Sequence, residues 1–349
     1  PRVLHCITTK GKGYAPAEKD PMIWHAPGRF DPATGERKVF KYPVPRYQDV
    51  FGEVLCDLAE KNPDVIGITP AMSSGCGMVE FSKRFPSRFF DVGIEEEHAV
   101  TFSAGLAAAG LRPFCNIYSS FSQRAYDQIV HDVALQSLPV VLCFDRAGLV
   151  GEDGATHNGA FDMAAYRSIP NCIIAVPSNE LELKNMMYSA LKNPTGPYII
   201  RYPRGLAEGV EFRTADYSLL PLGQSVCLRR GHKVAVVALG HCVNRAMEAS
   251  AAFPDAVGVY DFRFLKPIDT SRLDEIAESY ETVLTIEDGS IKGGLYGAVC
   301  EYMESKGYGI KVQGIGIPDE FIFQAAQGEQ RAYCGMDKEG IESILKKLI

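Results

Sequence analysis

The sequence predicts an α/β protein, a doubly wound parallel-sheet domain followed by a smaller α/β domain. Three observations carry this reading. Short apolar runs alternate with stretches of helical spacing over residues 46–212. A polar stretch around 213–216 then separates a second, shorter series of the same kind. Finally, 349 residues that are 46% hydrophobic and 23% charged are enough chain for two cores and too apolar for disorder.

In chain order, the apolar run Val3-Leu4-His5-Cys6-Ile7 reads as a strand, and a start at Pro1 without Met suggests a chain cut from something longer. The proline-rich span up to Pro45 reads as an extended linker. Tyr47, Val50, Phe51, Val54, Leu55, Leu58 and Ala59 recur at helical spacing, and Asn62-Pro63 ends that helix. Strands are expected at 65–69, 89–93, 114–118, 140–144, 172–176 and 198–202. In the second series they fall at 234–239, 257–261, 283–287 and 310–317. The last helix, 338–349, puts Ile341, Ile344, Leu345 and Leu348 on one face.

A net charge of -7 argues against general affinity for nucleic acid or an acidic membrane surface. The ten cysteines form no CxxC and no zinc spacing, so they read as reduced thiols. No run is long and apolar enough to span a bilayer and no signal-peptide pattern opens the chain, which makes the cytoplasm the expected location.

Ligands of such sheets bind beyond the carboxyl ends of the strands, so the segments after each run are where chemistry is sought. Ile94-Glu95-Glu96-Glu97-His98 opens a helix. Carboxylates there are ordinary dipole partners, unless one points into a dry cleft. Tyr118, Phe121 and Arg124 share a helical side, which spacing alone reads as a core stripe with a solvated arginine. Residues 145–159 hold five ionisable groups and four glycines, as a substrate loop does, with His157 the best proton-transfer candidate. Arg201 and Arg204 end another strand, and with Arg124 and Arg146 they suggest four guanidiniums converging on a phosphate. Any one of them alone would more often be a surface ion pair. Gly293-Gly294 reads as a tight helix start, and Trp24-His25 as structural or solvent-facing.

Six segments together resemble the 1-deoxy-D-xylulose-5-phosphate synthase family of transketolase-like thiamine enzymes: KGKGYAPAE ending at Glu18, WHAPGRFDP (24–32), IEEEHAVTFSAGLA (94–107), YSSFSQRAYDQ (118–128), DRAGLVGEDGATHNGAFD (145–162) and RYPRG (201–205). The resemblance implies that Glu96 bonds the aminopyrimidine of thiamine diphosphate, that Phe121 stacks on that ring and that Ile94 lies against the cofactor. It implies that Tyr118, Arg124, Arg146 and Arg204 sit near the substrate phosphate, that Asp153 and His157 contact the aldehyde, and that His25 lies near the reacting atoms. Glu96, His157 and His25 are thus the implied catalytic set.

The GDG motif that holds the diphosphate and Mg2+ in the family does not occur. The resemblance therefore divides the chain into a remnant of the diphosphate-binding domain and linker (1–45), a pyrimidine-binding domain (46–212) and a transketolase C-terminal domain (213–349). The metal ligands are expected in a missing N-terminal domain, and the chain alone is expected to be inactive. The implied reaction is decarboxylating condensation of pyruvate with D-glyceraldehyde 3-phosphate by a homodimer, the first step of non-mevalonate isoprenoid synthesis and a source of thiamine precursors. Two alternatives are the β subunit of a 2-oxo acid dehydrogenase and a non-catalytic α/β binding module. The 145–162 loop and RYPRG argue against the former.

Overall fold

The computed structural model describes residues 1–25, 27–37 and 41–349, in two compact units, Pro1–Pro43 and Val44–Ile349. In the first unit a short helix, Ala15–Lys19, follows Tyr14. The ring of Trp24 stands edge-on to those of Tyr14 and Phe30, with centroids 5.1 and 4.8 Å apart, and Phe30 bridges Arg37. The span read as an extended linker therefore carries a small aromatic cluster, because three rings shed water together more favourably than apart. The run Val3–Ile7 is not a strand here. Val3, Leu4 and Ile7 are exposed, and an apolar run without a neighbour to take its N–H and C=O groups has no ladder to join.

The second unit opens with the helix Tyr47–Lys61, whose Tyr47, Val50, Phe51, Val54, Leu55 and Leu58 are buried and whose C-cap is Asn62. Six parallel strands follow: β1 (Val65–Thr69), β2 (Phe89–Asp91), β3 (Arg112–Tyr118), β4 (Val141–Ala147), β5 (Ile173–Ala175) and β6 (Tyr198–Pro203). Most are buried along their whole length, as strands covered on both faces must be. The later strands are β7 (Val226–Arg229), β8 (Val234–Ala238), β9 (Val257–Asp261), β10 (Phe264–Lys266), β11 (Thr282–Ser290) and β12 (Lys311–Ile317).

The strands form a seven-stranded sheet, β10-β5-β6-β4-β3-β1-β2, and a five-stranded sheet, β12-β11-β8-β9-β7. Ten of the eleven strands expected from the sequence, all but Val3–Ile7, are present, with ends shifted by a few residues. Two further strands, β7 and β10, are antiparallel edges. They are four and three residues long, and each pairs with a neighbour on one side only. Strand β10 follows β9 by three residues yet joins the other sheet, so the later stretch of sequence contributes an edge to the earlier sheet. Arg263, in that connection, adopts φ 54° to make the turn. One buried cluster runs through both sheets, from Ile66 to Met303. The closing helix, Lys338–Leu348, buries Ile341 and Leu345 and is capped by Asp337 on the N–H of Gly340. Among the described residues no helix is long and apolar enough to cross a membrane.

Candidate active site

Sheet register brings the candidates together. Tyr118, the last residue of β3, pairs with Asp145 near the end of β4, and Phe144 of β4 pairs with Arg201 of β6. Residues far apart in sequence thus leave adjacent strand ends on one edge, where the connecting loops gather.

Glu96 is the first residue of the helix Glu96–Ala108. Of the three neighbouring carboxylates it alone is buried, at 2% exposure, because the helical period turns Glu95 and Glu97 away. Both of its oxygens accept from Arg124 Nη1, at 3.1 and 3.2 Å. The Arg124 guanidinium also lies 5.6 Å from the centre of the Phe121 ring and so joins carboxylate and ring in one cluster. The side chain of Arg124 is half exposed, whereas Ile94, two residues before the helix, is 74% exposed.

The rings continue from there. Phe121 stacks on Tyr118 with centroids 5.6 Å apart and planes 21° apart, and His157 stands edge-on to Phe121 at 5.3 Å. The Tyr118–Phe121–Arg124 side is therefore not a core stripe. Phe121 is only half-buried, and its open edge meets the loop. Thr156 Oγ1 lies 2.9 Å from His157 Nδ1. A hydroxyl donating there leaves the proton on Nε2. Beside this group a cavity of about 450 Å³ is lined by Ser119, Ser120, Gln123, Thr156, Phe161 and Phe321, among others. The hydroxyls of Ser119 and Ser120 are buried there without a partner, a supply of uncommitted donors.

Arg146 lies 4.3 Å over the Tyr118 ring, donates to the Gly75 carbonyl at 2.6 Å and pairs with buried Asp145 at 2.8 Å. Its φ of 58° is unusual for a side chain of this size and is held by these contacts. Burial opposes its charge, but Asp145 and Tyr118 together outweigh burial and raise its pKa. At position 75 a Cβ would fall 2.0 Å from the Tyr118 hydroxyl, so any larger residue has to displace that side chain. Burial, in turn, pushes that hydroxyl's pKa well up.

The four arginines do not converge as free cations. Arg124 meets Glu96, Arg146 meets Asp145, and Arg204 meets Glu152 at 2.8 Å with Asp153 at 3.5 Å. Arg201 is withdrawn from the edge altogether. It is buried, with Nε 2.8 Å from Asp162 and Nη2 donating to the Asp288 carbonyl at 2.8 Å. In each case the carboxylate offsets a charge that is drawn at least partly out of water. His25 belongs to the first unit and is exposed.

What holds the loop was not legible in the sequence. Asp288 of β11 accepts from Leu149 N–H at 3.1 Å. Gln330 clasps Gly151 through both its N–H and its C=O. Gln327 donates to the carbonyls of Leu149 and Arg204, and Asn158 donates to that of Ile322. These partners stand more than 120 positions from what they hold, and no local pattern marks them. Among the described residues no group of three or more His, Cys, Asp or Glu is placed to hold a metal ion.

With this geometry in view, the chain can be set beside known proteins. Residues 44–209 match the model of the transketolase pyrimidine-binding domain, and residues 223–341 that of the transketolase C-terminal domain. The 1-deoxy-D-xylulose-5-phosphate synthase of Bacteroides thetaiotaomicron is 51% identical across 99% of this chain and 54% of its own length. That of Haemophilus influenzae is 47% identical across 100% of this chain and 55% of its own length. The chain therefore spans about half the length of the curated relatives it matches. Among solved structures, a split-gene transketolase described as an inactive β4 tetramer superposes with TM-score 0.77 at 29% identity, over 87% of this chain and 98% of that one. The transketolase of Campylobacter jejuni gives TM-score 0.72 at 17% identity, over 89% of this chain and 48% of its own, a likeness of fold.

Proposed function

The chain belongs to the transketolase-like family, and from that premise we propose that it forms the pyrimidine-binding and C-terminal domains of a 1-deoxy-D-xylulose-5-phosphate synthase, condensing pyruvate with D-glyceraldehyde 3-phosphate as carbon dioxide is lost. The observation that carries the reading is the cluster of buried Glu96, half-exposed Arg124 and half-buried Phe121, facing a loop that presents His157. The identity to synthases over the whole chain supports it.

Thiamine diphosphate, when bound, supplies the carbon nucleophile and electron sink that decarboxylation of a 2-oxo acid needs. The residues present fit its aminopyrimidine. Glu96 offers a dry carboxylate able to hold a proton at a ring nitrogen, Phe121 offers a flat apolar face, and exposed Ile94 offers an apolar contact. To serve the ring, Glu96 must exchange Arg124 for it, and the exposure of Arg124 allows that. Freed, Arg124 joins Tyr118, Arg146 and Arg204 as candidate holders of the substrate phosphate. Asp153 and His157, on the Gly-rich loop, contact the aldehyde, and His157 moves a proton at its oxygen. His25 is assigned near the reacting atoms by resemblance.

Diphosphate and Mg2+ are held by a further domain, active protein is a homodimer in the cytoplasm, and the divisions 1–45, 46–212 and 213–349 stand as parts of the same reading. An assay of the full-length enzyme that carries this chain tests it. Carbon dioxide release from pyruvate should depend on glyceraldehyde 3-phosphate. Acetyl transfer to lipoamide with an added α subunit, in its place, would assign a 2-oxo acid dehydrogenase.

A further inference from the structure

Two neutral side chains from the C-terminal part of the chain join the two segments that carry candidate substrate groups. Gln330, on the helix Gln327–Tyr333, is buried. Its Oε1 accepts from the Gly151 N–H at 2.8 Å, and its Nε2 donates to the carbonyls of Gly151 at 3.3 Å and Phe323 at 2.9 Å. A carboxamide carries donor and acceptor side by side, so one side chain answers both backbone groups of Gly151. Gln327 opens the same helix. Its Nε2 donates to the Leu149 carbonyl at 2.6 Å and to the Arg204 carbonyl at 3.1 Å, which ties the loop after β4 to the residue that follows β6.

The loop is shaped to take this hold. Gly151 has φ 79° and Gly154 φ 72°, the left-handed region that favours glycine. A Cβ at 151 would stand 3.2 Å from the Gln327 nitrogen, and one at 154 would stand 3.3 Å from the Gln324 Cβ. The loop backbone therefore lies directly against residues 324–327. From Gly151 the bonding runs on to the candidate proton carrier: the Gly154 N–H donates to the Gly151 carbonyl, and the His157 N–H to the Gly154 carbonyl, each at 3.0 Å. Arg204 is aimed by the same segment, since its Nη1 donates to the Val150 carbonyl at 2.5 Å and to Glu152 at 2.8 Å, with its Nε 3.5 Å from Asp153. Among the described residues neither glutamine bonds to Glu96, Phe121 or His157, so whatever they do for the site is done through the loop and Arg204.

We propose that Gln327 and Gln330 are positioning residues that fix Arg204 and the 149–157 loop in one frame, and so set the preference of the site for a phosphorylated over an unphosphorylated aldehyde. The proposal rests on the reaction assigned above. The phosphate and carbonyl of a short aldehyde phosphate are joined by a fixed covalent reach, so a guanidinium for the one and an imidazole for the other must be held at one separation. A misplacement of about 1 Å is enough to cost up to about 100-fold in rate. An unphosphorylated aldehyde engages only the loop and does not feel that separation.

The test compares kcat/KM for D-glyceraldehyde 3-phosphate with that for D-glyceraldehyde in the full-length enzyme at saturating pyruvate. Gln327→Met and Gln330→Met keep the length of the side chain and remove its hydrogen bonds. Each should lower the value for the phosphorylated acceptor by about 10-fold or more, chiefly through KM, and that for D-glyceraldehyde by less than about 3-fold. Gln327 is only half-buried, so its variant carries the test if loss of buried Gln330 prevents folding. Lys184→Met is the reference, because Lys184 donates to the carbonyls of Phe212 and Ala215 at 2.8 and 2.6 Å, a clasp of the same kind outside the loop. It should leave the preference unchanged even where its thermal midpoint falls as far. A full-length enzyme that does not use D-glyceraldehyde 3-phosphate overturns the reaction and this proposal with it. An enzyme that does, with its preference unaltered in the glutamine variants or narrowed equally in Lys184→Met, overturns the positioning role alone.

Discussion

Each sheet buries a glutamate at the start of a helix, and the two are used differently. Glu287, in β11, accepts from the N–H groups of Leu295 and Tyr296 at 2.7 and 2.9 Å and so caps the helix Leu295–Lys306. Burial outweighs those two bonds and raises its pKa to about 8. Glu96 begins its own helix, and its two oxygens meet the half-exposed Arg124. A buried carboxylate whose acceptors are consumed by backbone is part of the scaffold. One held by a side chain that can leave is available to a ligand.

The sharpest way to break this contrast is Glu96→Gln in the full-length enzyme. Turnover should fall about 1000-fold, on the scale of a lost proton-transfer group, while the thermal midpoint moves by less than about 2 °C. Unchanged turnover would return Glu96 to the scaffold.

Glu287 should show the reverse pattern. Its folded pKa of about 8 lies above the ordinary carboxyl value of about 4.3. The folded state therefore holds the proton more tightly, and the stability this contributes is complete below about pH 4 and lost as pH rises through 8. Denaturant-derived stability of the chain should decline across that window, by on the order of 5 kcal/mol for this group. Glu287→Gln should flatten the decline, leaving the smaller slope of Asp261, whose pKa burial raises to about 7. An unaltered slope in the variant would mean that Glu287 is ionised in the fold.

Asp288, beside Glu287, sharpens the comparison with the opposite sign. Burial opposes its charge, but His241, Arg331 and Arg201 prevail and lower its pKa to about 2. Its contribution is present above about pH 4 and is lost as pH falls through 2. Asp288→Asn should cost about 2 kcal/mol and speed hydrogen exchange at Leu149, which loses its acceptor. Exchange at the unperturbed rate would show that Gln327, Gln330 and Asn158 hold the loop without Asp288. The smallest effect is expected at Gly75→Ala, where the added methyl displaces the Tyr118 ring from beneath Arg146. Overpacking of this kind costs about 1 kcal/mol, and kcat/KM should fall more than stability does.

The alternating strands and helices were legible because period and length are local properties. The helix Tyr47–Lys61 and the ten strands found where the sequence expects them needed only apolar runs and Asn-Pro or Gly punctuation. Strands β7 and β10 were hidden because short antiparallel edges owe their existence to a neighbour. The arginines misled for a related reason. Residue type and strand end suggested four cations seeking a phosphate, but apart from Asp145 beside Arg146 the partner acids lie far away in sequence. Glu152 lies 52 positions from Arg204, and Asp162 lies 39 from Arg201.

By itself the sequence determined the two-sheet α/β character, the segments that would stand at the strand ends and, through resemblance, the choice of Glu96 from three adjacent carboxylates. Only the tertiary structure decided which charges are neutralised and what anchors the loop at Leu149 and Gly151. Period and motif are written along the chain. Electrostatic pairing and hydrogen-bond satisfaction depend on distances of about 3 Å, and those are set when residues remote in sequence pack together.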